Sequence, residues 1–93
     1  MNVGNPPSRI RADIVATDAN GNMHVFEVKN GTGRLTDNQS AAGVFNMNSP
    51  ANQNGTITTG QNHNFSVGTD NRPGVGPRNS TQNASFNVLK YDV

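Results

Sequence analysis

Apolar and polar positions alternate through RIRADIVAT, residues 9–17, where Ile10, Ala12, Ile14 and Ala16 are set against Arg11, Asp13, Val15 and Thr17. This period of 2 predicts a β-strand. A second β-branched and aromatic run, MHVFEVK at 23–29, predicts another, and the turn-forming residues of DANGN, 18–22, join the two as an antiparallel hairpin. In LTDNQSAAGVF, 35–45, the period changes. Thr36 is followed three residues later by Gln39, the pattern of a helix capping box, and Ala41, Val44 and Phe45 form a short apolar stripe. Gly43 inside that stripe weakens the helix by roughly 1 kcal/mol. TITT, 56–59, and SFNVLKYDV, 85–93, predict two further strands. Residues 1–9 read as an irregular lead, and the Asn- and Gly-rich stretches 46–64 and 68–83 read as loops, which makes 46–83 loop-rich. The order strand, strand, helix, strand, strand predicts an α/β fold, a small mixed β-sheet with one flanking helix.

Composition sets the scale of that fold. A chain of 93 residues holds one domain, 1–93, and buries roughly 60–65% of the surface its unfolded form exposes. Leu, Ile, Val and Phe together make up about 19% of it, near the fraction below which chains fail to fold. The net charge of +1 lacks the excess that accompanies disorder. A small core with much irregular chain is expected. Cysteine is absent, which excludes a disulfide framework and thiolate metal sites. No stretch approaches about 18 consecutive apolar residues and no signal peptide is visible, so no membrane partner is expected. A pI near 8.3 is too mild to indicate nucleic-acid binding from charge alone. The Asn-x-Ser/Thr triplets at Asn30, Asn38, Asn54, Asn64, Asn79 and Asn83 are expected by chance in so Asn-rich a chain.

Charge is scarce, and this draws attention to Glu27, the only glutamate, which lies within the apolar run beside Val25, Phe26 and Val28, two residues from Lys29. On a strand Glu27 and Lys29 share one face while Phe26 and Val28 share the other. That arrangement suggests a packing face of Phe26 and Val28 and a working face of Glu27 and Lys29. The hairpin loop decides where Asp13 falls. A three-residue loop, 19–21, with Gly21 in the left-handed conformation places Asp13 opposite Glu27 and Arg11 opposite Lys29. A two-residue type I′ turn at Asn20-Gly21 places Asp13 opposite Val28 and separates the carboxylates onto opposite faces. Asn-Gly by itself favours the second. In the first, two facing carboxylates repel by on the order of 4 kcal/mol at about 4 Å, and a divalent cation between them turns repulsion into ligation. Carboxylate oxygens with open water positions suit Mg²⁺. Lys29, about 6–7 Å along the strand, is then placed to orient a water or to offset charge on a phosphate, the outline of metal-assisted phosphodiester hydrolysis.

Asp13 on one strand, Glu27-Val28-Lys29 on the next, and Gln39 at a helix start together resemble the PD-(D/E)xK, restriction-endonuclease-like nuclease superfamily. The longer string ADIVATDANGNMHVFEVKNGTGRLTDNQ is similar to nuclease toxin domains at the C-termini of bacterial polymorphic and contact-dependent toxins. The likeness covers roughly residues 10–45, with FNVLKYDV matching more loosely. It implies an α/β fold around a central mixed sheet, here a truncated restriction-endonuclease-like fold. It also implies cleavage of DNA, less often RNA, with Mg²⁺ or Mn²⁺, delivery from a bacterial toxin into the target-cell cytoplasm, and a cognate immunity protein that blocks the site. By the same resemblance Asp13 and Glu27 are metal ligands with the Val28 carbonyl as a third. Lys29 is the catalytic lysine and Gln39 a site-adjacent helix residue. Ala12 stands where the family has proline, and the family has a helix and a strand ahead of the hairpin where this chain has nine residues before Ile10.

Blander readings stand beside these. Glu27 and Lys29 fit a solvated strand face, and Gln39 fits the capping partner of Thr36. His24, on the face of Phe26 and Val28, reads as structural, and His63 sits in an Asn-rich loop with no spaced partner. GTGR, 31–34, lacks the ending of a phosphate loop and reads as a turn, though Arg34 follows the site closely enough to touch substrate phosphate. Arg72 and Arg78 read as part of a solubilising loop. The spacing assembles no Ser-His-Asp or Cys-His arrangement. A non-catalytic, β-rich interaction module is the alternative reading of the whole chain.

Overall fold

The computed structural model describes residues 1–4, 7–30, 33–48, 50–51, 60–68 and 76–91. Its elements are β1 (Asn2–Val3), β2 (Ser8–Arg9), β3 (Ile14–Thr17), β4 (Met23–Asn30), α1 (Asp37–Ala42), β5 (Asn62–Ser66) and β6 (Thr81–Tyr91). The strands form one mixed sheet in the order β2-β1-β5-β6-β4-β3. Among the described residues only β4 and β6 run parallel, over the eight pairs from Met23↔Ala84 to Asn30↔Tyr91. The remaining neighbours are antiparallel. The α/β expectation holds at this level, with a sheet larger than the pattern of apolar residues suggests.

Three expectations need correction. The alternating run 9–17 is not one strand, because Ile10 is buried at 4% exposure and tied to the first residue. Its N–H donates to the Met1 carbonyl at 2.9 Å, and the Met1 ammonium donates to the Ile10 carbonyl at 3.1 Å. The run is thereby divided between β2 and β3, which occupy opposite edges of the sheet. The lead 1–9 is accordingly not irregular throughout, since it carries β1 and β2. The loop assignments 46–64 and 68–83 give way to strand at Asn62–Ser66 and from Thr81 onward. The predicted strand at 56–59 lies outside the described residues.

The division of residues 9–17 also shapes the sheet. The five peptide steps from Arg9 to Ile14 reach at most roughly 17 Å, whereas five inter-strand gaps laid flat would span about 24 Å. The sheet must therefore curl until its two edges approach, and residues 10–13 cross the seam.

The concave side holds the core. Val25 and Glu27 of β4, Ala84, Phe86 and Val88 of β6, Phe65 of β5 and Val3 of β1 all point into it, and Ala42 and Phe45 cover them. Phe86 is central, with Phe45, His63 and Phe65 each edge-on to its ring at 5.7, 6.0 and 6.1 Å. Such geometry suits the ring quadrupoles. His63 is thus a packing residue on a strand.

Helix α1 begins as the sequence predicts. The Thr36 hydroxyl accepts from the Gln39 N–H at 3.2 Å, and the Gln39 side-chain oxygen accepts from the Thr36 N–H at 2.9 Å. It ends sooner than expected. Gly43 is the C-cap in the left-handed conformation, φ 71°, and stops the helix where it was expected merely to weaken it. Among the described residues no helix is long and apolar enough to cross a membrane.

Candidate functional site

The hairpin turn sets the geometry. Asp18 and Asn22 close it, with the Asp18 N–H donating to the Asn22 carbonyl at 2.9 Å, and Gly21 has φ 84°. This is the three-residue loop 19–21, and the pairs that follow from it are Thr17↔Met23, Ala16↔His24, Val15↔Val25 and Ile14↔Phe26. Asn-Gly favours the other turn, but Asp18 outweighs it. One carboxylate oxygen of Asp18 accepts from the N–H groups of Asn20 and Asn22, each at 2.9 Å. The other meets His24 Nε2 at 2.8 Å. These bonds draw Asp18 below its ordinary value of 3.8, with the His24 bond the main cause.

That tie continues into the sheet. His24 Nδ1 meets the Ser85 hydroxyl at 2.6 Å. Asn87 Nδ2 donates to the same hydroxyl at 3.0 Å and to the Val25 carbonyl at 3.2 Å, and Asn87 Oδ1 accepts from the Gly60 N–H. The structure therefore assembles the Asp-His-Ser series that spacing alone does not. Ser85 is 1% exposed, so no substrate reaches its hydroxyl, and the series serves to lock turn, β4 and β6 together.

One residue beyond the last β3–β4 pair, Asp13 stands opposite Glu27. In an antiparallel ladder closed by a hydrogen-bonded Asp18–Asn22 pair, alternate residues bond across, so the Val28 N–H falls to Ala12. Asp13 takes it instead, its carboxylate accepting from the Val28 N–H at 2.8 Å. The strand bends away there. The Val28 carbonyl, which points to the same neighbour as its N–H, faces the gap left by the bend.

Glu27 is 4% exposed. The expectation that Phe26 and Val28 form the packing face is reversed, since Glu27 shares the core side with fully buried Val25 while Phe26 and Val28 are half-buried on the other. A solvated strand face is ruled out for the same reason. Alternation shows which residues share a face, and the helix determines which face is buried. One Glu27 oxygen, Oε1, pairs with Lys29 Nζ at 3.1 Å. The other, Oε2, is buried and has no hydrogen-bond partner. Burial pushes the Glu27 carboxyl above its ordinary value of 4.5, Lys29 and the Gln39 amide pull it partly back, and the Asp13 charge adds to the rise. Gln39, itself 6% exposed, thus has two roles. With its oxygen held by the Thr36 N–H, its amide nitrogen is the end turned toward Glu27, while Oε2 itself stays without a hydrogen bond.

Asp13, Glu27, Val28, Lys29 and Gln39 are thus brought together. Arg34 is exposed just beyond Gly33, whose N–H donates to the Asn30 carbonyl at 2.6 Å. It flanks the group from the loop that follows β4. Register places Lys90 beside Lys29, a pairing across sixty residues that no local motif signals. Arg72 lies outside the described residues, and Arg78 sits exposed in the turn before β6.

A divalent ion fits the donor set. Among the described residues no three His, Cys, Asp or Glu side chains gather to hold one. Mg²⁺ needs fewer, since it is commonly held by one or two carboxylates and keeps several waters. An orphaned, buried carboxylate oxygen with a second carboxylate, Asp13, close enough to act on its charge meets that requirement. Comparison of the chain with models of known protein families, with curated proteins and with solved structures finds no match.

Proposed function

We propose that the chain is a metal-dependent endonuclease domain of an interbacterial toxin, cutting phosphodiester bonds in DNA or, less favoured, RNA. The observation that carries this reading is the unpartnered, buried Glu27 Oε2 with Asp13 brought to it by the hairpin register. Burying a carboxylate oxygen without a partner is costly, and a cation ligand removes that cost. The finer reading of the fold, a reduced restriction-endonuclease-like sheet, draws support from the parallel β4–β6 pair flanked by antiparallel β3 and from the helix on the side of the carboxylates.

Asp13, Glu27 and the Val28 carbonyl hold Mg²⁺ or Mn²⁺ in this proposal. When bound, the ion supplies Lewis acidity and a water of lowered pKa. Lys29 leaves Glu27 Oε1 to face the scissile phosphate, where its ammonium offsets developing charge. Gln39 steadies Glu27, and Arg34 meets a neighbouring phosphate. A cognate immunity protein covers the site before the domain reaches the target-cell cytoplasm.

The Lys29–Glu27 ion pair also favours a second reading, in which the charges are structural and the chain is an interaction module. Nicking of supercoiled plasmid with Mg²⁺ or Mn²⁺ separates the two. Activity that disappears with EDTA and falls at least about 100-fold in Glu27→Ala and Lys29→Ala supports the nuclease. Inactive wild-type protein that binds no metal at millimolar concentration leaves the interaction module.

A further inference from the structure

We infer that the groove between residues 9–11 and the first turn of α1 is a second subsite, one that seats a backbone phosphate next to the phosphate cut at Asp13 and Glu27. The inference rests on the nuclease reading for its ligand, and on separate residues for its geometry.

Ile10 is the anchor. It is buried at 4% exposure and bonded in both directions to Met1. On extended chain, neighbours on either side of a residue emerge opposite to it. Arg9 and Arg11 are both exposed and both line a groove of about 420 Å³ whose other wall is Thr36, Asp37, Asn38 and Gln39. Asn38 Nδ2 donates to the Arg9 carbonyl at 2.9 Å and holds the walls at a fixed separation. Two of the seven cationic residues thus border one cleft, together with Ile10, and Arg11 is the one that meets the phosphate in this inference. The guanidinium fork matches phosphate oxygens.

The groove reaches the carboxylates through Gln39. Gln39 forms part of it and its amide lies beside Glu27, while Arg11 precedes Asp13 by two residues. A strand with its scissile phosphate at Glu27 runs naturally into the cleft. Asp37, exposed on the same wall, opposes an anion and limits the affinity.

Fluorescence anisotropy of a labelled 20-base-pair duplex, titrated in EDTA across a KCl series, tests this. Arg11→Ala weakens binding on the order of tenfold and lowers the slope of log K against log[KCl] by about one. Arg11→Lys keeps the slope, Asp37→Asn tightens binding, and Arg78→Ala changes nothing. Equal slopes for wild type and Arg11→Ala, or equally tight, Arg11-dependent binding of a poly-glutamate peptide, would overturn the subsite. Arg11-dependent binding without metal-dependent cleavage upholds the groove and removes the nuclease, whereas cleavage with an unchanged Arg11→Ala slope does the reverse.

Discussion

Glu27 is held in a state that opposes folding. Its carboxyl lies above the ordinary value of 4.5, chiefly through burial. A carboxyl raised in the folded state favours folding fully below its unfolded value, and that contribution is lost as pH rises through the folded value. At neutral pH without metal, ionised Glu27 therefore costs stability. Glu27→Gln should raise the melting temperature by a few degrees at pH 7–8, where about 1 kcal/mol corresponds to 4–8 °C in a domain this size. The gain should vanish below about pH 4, and metal-dependent nicking should be lost throughout. Thermal denaturation at the two pH values checks it, and a destabilised Glu27→Gln at neutral pH would show that the Lys29 pair outweighs burial. Gln39→Glu separates the two roles of that residue. It keeps a favourable capping partner at the third helical position but sets a second carboxylate against Glu27, so helix content should hold while the melting temperature at pH 8 falls.

At the scale of elements, the hairpin depends on Asp18. Its carboxyl is depressed below 3.8 by His24 and the turn amides, so the stability it lends is present above that value and lost as pH falls through the lower folded one. Asp18→Ala frees Asn20-Gly21 for the two-residue turn, and a slip of one residue sends every side chain of β3 to the other face. Nicking should then fall by at least about tenfold although no site residue is altered, and cross-strand NOEs should move from Val15–Val25 to Val15–Phe26. Much of this element was legible. Period 2 and the turn residues gave the hairpin, and spacing gave the cap at Thr36 and Gln39. The register was left between two choices because the arbiter, His24 held by Ser85, comes from sixty-one residues away. Strand β5 escaped notice for a different reason. Its alternation of Asn62, Asn64 and Ser66 with His63, Phe65 and Val67 is regular, but Asn carries a turn preference that tertiary pairing overrides. Asn83 Nδ2 donates to Asn64 Oδ1 at 2.8 Å across β5 and β6, so these amides pair along the sheet instead of turning the chain.

For the molecule as a whole, ligand and fold are linked. If Mg²⁺ binds only the assembled site, it stabilises by RT ln(1 + [Mg²⁺]/Kd), about 2.7 kcal/mol at one hundred times Kd. The melting temperature should climb with Mg²⁺ in wild type and stay level in Asp13→Asn, as scanning fluorimetry can measure. The curl of the sheet has a bearing here, because residues 10–13 cross the seam and end at Asp13, so opening the seam carries Asp13 away from Glu27. The parallel pairing of β4 with β6 has a consequence for the order of events in time. Residues 23–30 wait for 84–91, a separation that makes contact order high and folding slow. A chain threaded out N-terminus first exposes Asp13, Glu27 and Lys29 early, yet β4, which carries Glu27 and Lys29, gains its second neighbour only when Thr81–Tyr91 emerge. Until then the proposed catalytic set exists in sequence but not in space, and β6 acts as the timer that would arm it.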